Sequence, residues 1–274
     1  MTELAIVIVS YNTRPELEAC LASLVDDAPA ISHEIVVVDN ASSDGSPAAV
    51  RTRWPQVTLI DAGDNLGFAR ATNLGIRATT SRLVLLLNSD TVSPPKAIDR
   101  LVEVLLPRGD VAVVGPRLAD ANGRLEVSFG PMISPVAELW QKCLVRGHAR
   151  GTPVLAGLVD RRARSERLVD WVSGACLLVR RADAVAAGLL DERFFLYGED
   201  VDFCAAIRRL GRHVLFTPVV KMVHHGGRSG AHAPATASAA YRRSHLAFYQ
   251  KHHPAWHPVL RTYLRLRGKL PADA

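Results

Sequence analysis

The sequence predicts an α/β fold, a mostly parallel central sheet flanked by helices, and three observations carry that prediction. Residues 83–87 are an unbroken apolar run. Runs of this kind belong to strands buried on both faces, as in parallel sheets covered by helices. Shorter apolar runs at 4–9, 35–38 and 57–60 likewise end in polar residues: Ser10-Tyr11-Asn12, Asp39-Asn40, and Asp61 onward to Asn65. Helical signals lie between them, so the pattern reads βαβαβαβαβ with polar residues gathered along one sheet edge.

Each element has its own warrant. After the strand at 4–9, Thr13-Arg14-Pro15-Glu16 combines a capping box with proline near the first turn. Leu17, Leu21 and Leu24 then recur at helical spacing. Ser46-Pro47 opens a second helix reaching about Trp54, residues 67–78 form a third, and 94–106 a fourth before a strand at 111–114. The apolar run ends in Asn88-Ser89-Asp90. Alternate side chains of an extended chain share a face, so Asn88 and Asp90 are placed to share one ligand. Ligands of such sheets bind just beyond the carboxyl ends of the strands.

A chain of 274 residues with 48% apolar and 22% charged content is an ordinary soluble composition, read as one domain with an elaborated second half. No apolar run approaches the roughly 20 residues of a membrane span, and the N-terminus lacks a signal-peptide pattern, so a cytoplasmic protein is expected. Cys20, Cys143, Cys176 and Cys204 are scattered without a C-x-x-C pair, which leaves them as reduced packing residues rather than zinc or redox groups.

The second half is less regular. Residues 118–170 read as a variable insertion, with a turn at Ala121-Asn122-Gly123-Arg124, a short helix at 135–145 and an exposed charged stretch at 161–167. Residues 171–179 are strand-like, interrupted by Ser173-Gly174-Ala175; glycine within a strand marks a bulge or a close approach. Gly198 then breaks the chain before Glu199, Asp200 and Asp202 at a helix start, with Phe203, Ile207 and Leu210 as its apolar side. The helix dipole favours acids there, yet three acids beside an aromatic cluster exceed what capping needs. A strand at 214–222 leads into His224-His225 and a glycine-rich loop. Imidazole with carboxylate suits Mn²⁺ well and Mg²⁺ less well.

The formal charge of +6 is uneven. From residue 236 onward, Arg242, Arg243, Lys251, Arg261, Arg265, Arg267 and Lys269 face one acid, Asp273, with Tyr241, Phe248, Tyr249, Trp256 and Tyr263 interleaved. Two readings stay open: a segment for an anionic membrane surface or acidic ligand, and a solvated helix packing its aromatic side on the domain. Nucleic acid is disfavoured, because no recognised binding motif accompanies the charge.

Six motifs in order carry a resemblance. They are Val7-Ile8-Val9-Ser10-Tyr11-Asn12, Val37-Val38-Asp39-Asn40-Ala41-Ser42, Asn65 through Asn73 (NLGFARATN), Leu87-Asn88-Ser89-Asp90, Phe195 through Asp202 (FLYGEDVD), and His224 through Ser229. Together they resemble family-2 glycosyltransferases of the GT-A fold, in the branch that contains bacterial rhamnosyltransferases, over roughly residues 4–230. The resemblance implies an inverting transfer of a sugar from a nucleoside diphosphate donor to an acceptor hydroxyl. It implies a catalytic domain over 1–235, divided into a nucleotide-sugar half (1–117) and an acceptor half (118–235), with 236–274 as a basic tail.

The resemblance also assigns roles. Asp39 accepts the pyrimidine ring N–H, Ser10, Tyr11 and Asn12 line the nucleoside pocket, and Asn65 with Gly67-Phe68 closes it. Asp90 is the last position of the Asp-x-Asp metal motif, whose first position here is Asn88. With one carboxylate fewer, a labile Mg²⁺ or Mn²⁺ arriving with the donor is expected, held by Asp90 and His224. Asp200 is the general base, Glu199 positions the acceptor or the helix, and Trp171, Ser173, Gly174 and Tyr197 line the acceptor side. The branch implies dTDP-L-rhamnose as donor, with UDP- and GDP-sugars open, and a glycan or polyprenyl-linked glycan as acceptor at the inner face of the membrane.

Other classes fit less well. A sugar-phosphate nucleotidyltransferase needs a glycine- and arginine-rich loop where Ser10-Tyr11-Asn12-Thr13 stands. A Rossmann dehydrogenase needs G-x-G-x-x-G there. A non-catalytic carbohydrate-binding scaffold is opposed by the joint presence of Asp39, Asp90, Glu199, Asp200 and His224.

Overall fold

The computed structural model describes residues 2–138, 157, 160–226 and 234–271. The expected first half is present: β1 (Leu4–Ser10), α1 (Arg14–Val25), β2 (His33–Asp39), α2 (Ser46–Arg53), β3 (Thr58–Asp61), α3 (Phe68–Arg77), β4 (Leu83–Asn88) and α4 (Ala97–Leu105). A short β5 (Thr91–Val92) precedes α4. Strands β1 to β4 are mutually parallel, in the order β3-β2-β1-β4. Their register sets Ser10 beside Asp39, Asp39 beside Asp61, and Val9 beside Asn88. The carboxyl ends are therefore level, which gathers the polar residues on one edge.

The sheet continues differently from a simple βα alternation. β6 (Val111–Ala119) does not follow β4 in space, because β11 (Cys176–Arg180) lies between them and runs antiparallel to both. β12 (His213–His224) is parallel to β6, and β5 pairs antiparallel with its end, setting Thr91 opposite His224. β7 (Leu125–Glu126) folds back on β6 around the expected Asn122-Gly123 turn. β9 (Arg167–Val169) pairs with β12, so the end of the stretch read as a variable insertion supplies a strand of the main sheet.

The stretch 171–179 is two strands rather than one. β10 (Trp171–Val172) pairs with β8 (Phe129–Gly130) in a separate two-stranded sheet, and β11 belongs to the main sheet. The small step between them has a cause: the Ser173 N–H bonds the Ser128 carbonyl and the Gly174 N–H bonds Asp200. The expected capping box at Thr13 does not form either, as the Thr13 hydroxyl is spent on Ser89 at 2.9 Å and Ser10 at 3.3 Å. Residues 135–138 are helical; the rest of the helix expected to 145, with Cys143, lies outside the described residues. Cys20, Cys176 and Cys204 are buried free thiols, as read from the sequence.

Among the described residues, the two larger apolar cores flank the sheet, one under α1, α2 and α4, the other under α3, α5 (Arg181–Ala186) and α6 (Glu199–Arg209). The C-terminal segment forms α7 (Pro234–His252) and α8 (His257–Leu266). Phe248 and Tyr249 of α7 are buried in the same core as Phe203 and Ile207. Its polar side is pinned as well: Lys251 Nζ donates to Asp191 and Asp202 at 2.7 and 2.8 Å, and His252 Nε2 to Asp202 at 2.6 Å.

Candidate active site

A cavity of about 540 Å³ opens where the carboxyl ends of β1, β4 and β12 meet the start of α6. On one wall, β4 delivers Asn88, the following turn delivers Asp90, and β12 delivers His224. The register of β5 with β12 brings Asp90 Oδ1 to 3.2 Å from His224 Nε2, and the Asn88 amide to 3.4 Å from the same nitrogen. Asn88 and Asp90 thus converge as expected, though Asp90 sits in a turn instead of continuing the strand.

The other ring nitrogen is also held. His224 Nδ1 lies 2.7 Å from Glu126 Oε2, and a carboxylate only accepts, so Nδ1 carries the proton. Burial disfavours the imidazolium, but the hydrogen bonds and charges of Asp90 and Glu126 outweigh it and raise the pKa to about 10. Glu126 also lines the cavity. It was missed because it lies in the segment read as variable; the Asn122-Gly123 turn was the available signal, since a hairpin around it sets Glu126 opposite Leu118.

The opposite wall carries Glu199 and Asp200 at the first turn of α6. Tyr197 (φ 70°) and Gly198 (φ 87°), both left-handed, swing the chain into that helix; for the tyrosine this costs roughly 1–2 kcal/mol. Asp200 Oδ2 accepts the Gly174 N–H at 2.9 Å and Oδ1 the Val201 N–H at 2.8 Å. Burial raises the Asp200 pKa, and those two hydrogen bonds oppose the rise without cancelling it. Burial, then the Asp200 charge, push Glu199 well above the usual carboxylate range, and its Oε2 is buried without a hydrogen-bond partner.

The turn before α3 is built on close backbone contact. Phe68 N–H donates to the Phe195 carbonyl at 2.7 Å. A Cβ on Gly67, which has φ 77°, would stand 2.4 Å from that same oxygen. Asn40, a second residue the sequence reading passed over, organises this turn. Its Nδ2 donates to Asn65 Oδ1 at 3.0 Å, and its Oδ1 accepts the Leu66 N–H at 2.9 Å.

Of the residues expected at the site, Tyr11, Asn65, Gly67, Phe68, Asn88, Asp90, Ser173, Gly174, Tyr197, Glu199, Asp200 and His224 line this one cavity. Ser10, Asn12, Asp39 and Trp171 are not among its lining residues. The Ser10 hydroxyl is buried against Thr13, and Asn12 Oδ1 accepts the Ser43 N–H at 2.8 Å. Trp171 is buried, its indole N–H donated to the Pro131 carbonyl at 2.9 Å. Asp39 is 1% exposed; Oδ2 accepts the Ser42 N–H at 2.9 Å, while Oδ1 is buried without a partner.

Comparison with known proteins bears on the family and the fold. The family model for glycosyl transferase family 2 matches residues 5–142. An N-acetylglucosaminyl-diphospho-decaprenol L-rhamnosyltransferase of Mycobacterium tuberculosis is 32% identical, over 97% of this chain and 90% of that protein. Among solved structures, the mannosyltransferase PcManGT from Pyrobaculum calidifontis in complex with GDP-Man and Mn²⁺ aligns with a TM-score of 0.62 at 21% identity. That alignment covers 94% of this chain and 68% of that one. GalNAc-T7 with UDP, GalNAc and Mn²⁺ aligns with a TM-score of 0.61 at 15% identity, over 90% and 48%. The fold and the cavity define a GT-A glycosyltransferase. The chain belongs to glycosyltransferase family 2, in its rhamnosyltransferase branch.

Proposed function

We propose that this enzyme is an inverting transferase that moves L-rhamnose from dTDP-L-rhamnose to a hydroxyl of a polyprenyl-diphosphate-linked glycan. The observation that carries the reading is one cavity with the Asp90–His224 pair on one wall and Asp200 on the other. The first suits a donor diphosphate, the second an attacking hydroxyl. The acceptor class is taken from the similar mycobacterial enzyme, whose name specifies a decaprenol diphosphate carrier.

The residues fit a labile divalent cation. Asp90 and His224 offer one oxygen and one nitrogen 3.2 Å apart, and among the described residues no group of three or more His, Cys, Asp or Glu is set to hold an ion alone. A cation bound there together with the diphosphate would supply Lewis-acid stabilisation of the leaving phosphate. With its pKa raised to about 10 between two carboxylates, His224 carries a proton on each nitrogen. The proton that Nε2 shares with Asp90 would give way to a cation there, while Glu126 would keep the one on Nδ1.

Asp200 acts on the acceptor. Its backbone hydrogen bonds fix the carboxylate's orientation, and its raised pKa brings it closer to working pH as a base. The acceptor hydroxyl transfers its proton to Asp200 as its oxygen attacks the anomeric carbon from the face opposite the diphosphate. Glu199 is buried beside Asp200, and burial together with the Asp200 charge favours its neutral form. On the donor side, the unpartnered Asp39 Oδ1 suits a pyrimidine ring N–H.

Calorimetric titration with dTDP, UDP and GDP, each with and without Mn²⁺, tests the donor reading. Metal-dependent binding of dTDP, weakened by Asp39→Ala, is expected. Preference for GDP, or binding unaffected by Asp39→Ala, refutes the donor reading. Product formation from dTDP-L-rhamnose and a prenyl-diphosphate-linked N-acetylglucosamine tests the acceptor.

A further inference from the structure

We propose that α8 docks this enzyme on an anionic lipid bilayer through an exposed apolar stripe flanked by cationic side chains. The helix is fixed on one side: Leu264 is buried and Leu260 packs against the core that contains Phe248 and Tyr249. An adjacent side, spaced three, four and three residues apart, carries Trp256, Val259, Tyr263 and Leu266, which are 51, 55, 55 and 81% exposed. Side chains at that spacing form a single row along a helix. Arg265, Arg267 and Lys269 are exposed at its C-terminal end.

A solvated helix explains the arginines but leaves four large apolar side chains in water without a reason. A contiguous apolar stripe rimmed by polar groups marks an interaction surface. The chemistry here selects a bilayer over a protein: residues 234–271 contain no Asp or Glu, so the rim of the stripe carries charge of one sign, which suits a continuous anionic head-group surface. Tryptophan and tyrosine beside basic residues suit the boundary between head groups and acyl chains.

The surface is narrower than the whole basic tail. α7 is occupied, with Phe248 and Tyr249 in the core and Lys251 held by Asp191 and Asp202. Its other end supplies Ala237 and Ala240 to the cavity wall. The span from Ala240 to His252 covers roughly 18 Å of helix axis. Docking through α8 therefore holds the cavity near the bilayer. This deepens the reading of a lipid-linked acceptor, but vesicle binding needs neither donor nor acceptor, so the two readings fail separately.

The test is co-sedimentation of the full chain with vesicles of phosphatidylcholine, with and without phosphatidylglycerol. Salt-sensitive binding to the anionic vesicles is expected. Trp256→Ser/Tyr263→Ser/Leu266→Ser and, separately, Arg265→Glu/Arg267→Glu should each weaken it roughly tenfold or more. Thermal melting should be unchanged in both variants, since the substituted side chains are exposed. Arg242→Glu/Arg243→Glu, on α7, should bind as the parent does. No binding of the parent chain, or full binding by both α8 variants, overturns the proposal; so does loss of binding in the α7 variant alone.

Discussion

Glu126 Oε2 accepts a hydrogen bond from His224 Nδ1 at 2.7 Å while His224 Nε2 faces Asp90 Oδ1 at 3.2 Å. One imidazole is thereby held between two carboxylates, and the strand pairing on both sides fixes its direction. A carboxylate on the far nitrogen sets the tautomer and ring orientation of a metal-ligating histidine, and losing such a partner typically costs 10–100-fold in metal affinity.

Glu126→Ala should therefore weaken Mn²⁺ binding in the presence of dTDP by roughly 10–100-fold, read by electron paramagnetic resonance of the free ion. Glu126→Gln keeps an acceptor oxygen and should recover part of the loss. Equal affinity in Glu126→Ala and the parent would remove Glu126 from the site. A fall in melting temperature without a change in Mn²⁺ affinity would make its role structural.

Asp200 gives a prediction with a pH signature. Asp200→Asn should lower kcat by roughly 10²–10⁴-fold, the usual worth of a general base, and leave dTDP affinity near that of the parent. A base must be ionised, so kcat falls as pH drops through its pKa. Burial raises that pKa, so the acid limb should lie above the roughly 3.9 of an unperturbed aspartate. Near-parent turnover of Asp200→Asn, or an acid limb at or below that value, would assign the base elsewhere.

The strands most legible in the sequence include two that are buried on both faces. β1 and β4 announce themselves because Leu4 to Ile8 and Leu83 to Leu87 are all buried, and a polar residue after such a run has only the sheet edge to occupy. Asn88 and Asp90 follow from that. The place of β11 between β4 and β6 does not, because an apolar five-residue strand looks the same in either direction. Glu126 was hidden for a related reason: its strand is two residues long, too short for any periodicity. Ser10 and Trp171 carry the right chemistry for the site, but Thr13 and Pro131 take their hydrogen bonds, and only tertiary contacts reveal that.

Gly67 tests whether the turn before α3 and the loop that starts at Phe195 are one packed unit. Its left-handed backbone and the 2.4 Å approach of the Phe195 carbonyl to a built Cβ leave no room for a side chain. Gly67→Ala should cost about 1–3 kcal/mol, seen as a lower melting temperature. Phe195 begins the loop that delivers Tyr197 and Glu199, so nucleotide affinity and kcat should both fall. A variant with unchanged melting and kinetics would show that the two segments are free to separate.

The C-terminal anchor can be tested through its charges. Asp202 is 2% exposed and is held by Lys251 and His252. Burial is the largest effect on His252 and lowers its pKa; the hydrogen bond and charge of Asp202 oppose that, while Arg209 and Lys251 add to it. The neutral ring donates from Nε2 to Asp202 and accepts at Nδ1 from Arg209, 2.9 Å away. Lys251→Met removes the cation and should destabilise the fold by about 3 kcal/mol, as for a broken buried pair. It also removes one of the charges that hold the His252 pKa down. The His252 pKa in the folded variant should then rise toward its unfolded value, near 6.5. A folded-state pKa held below that value destabilises the fold as pH drops below it, so the variant is spared part of this cost at low pH and none of it at high pH. The deficit in melting temperature should accordingly be smaller at pH 5.5 than at pH 8. A deficit that is the same at both values would mean that His252 does not take over the charge of the lost lysine.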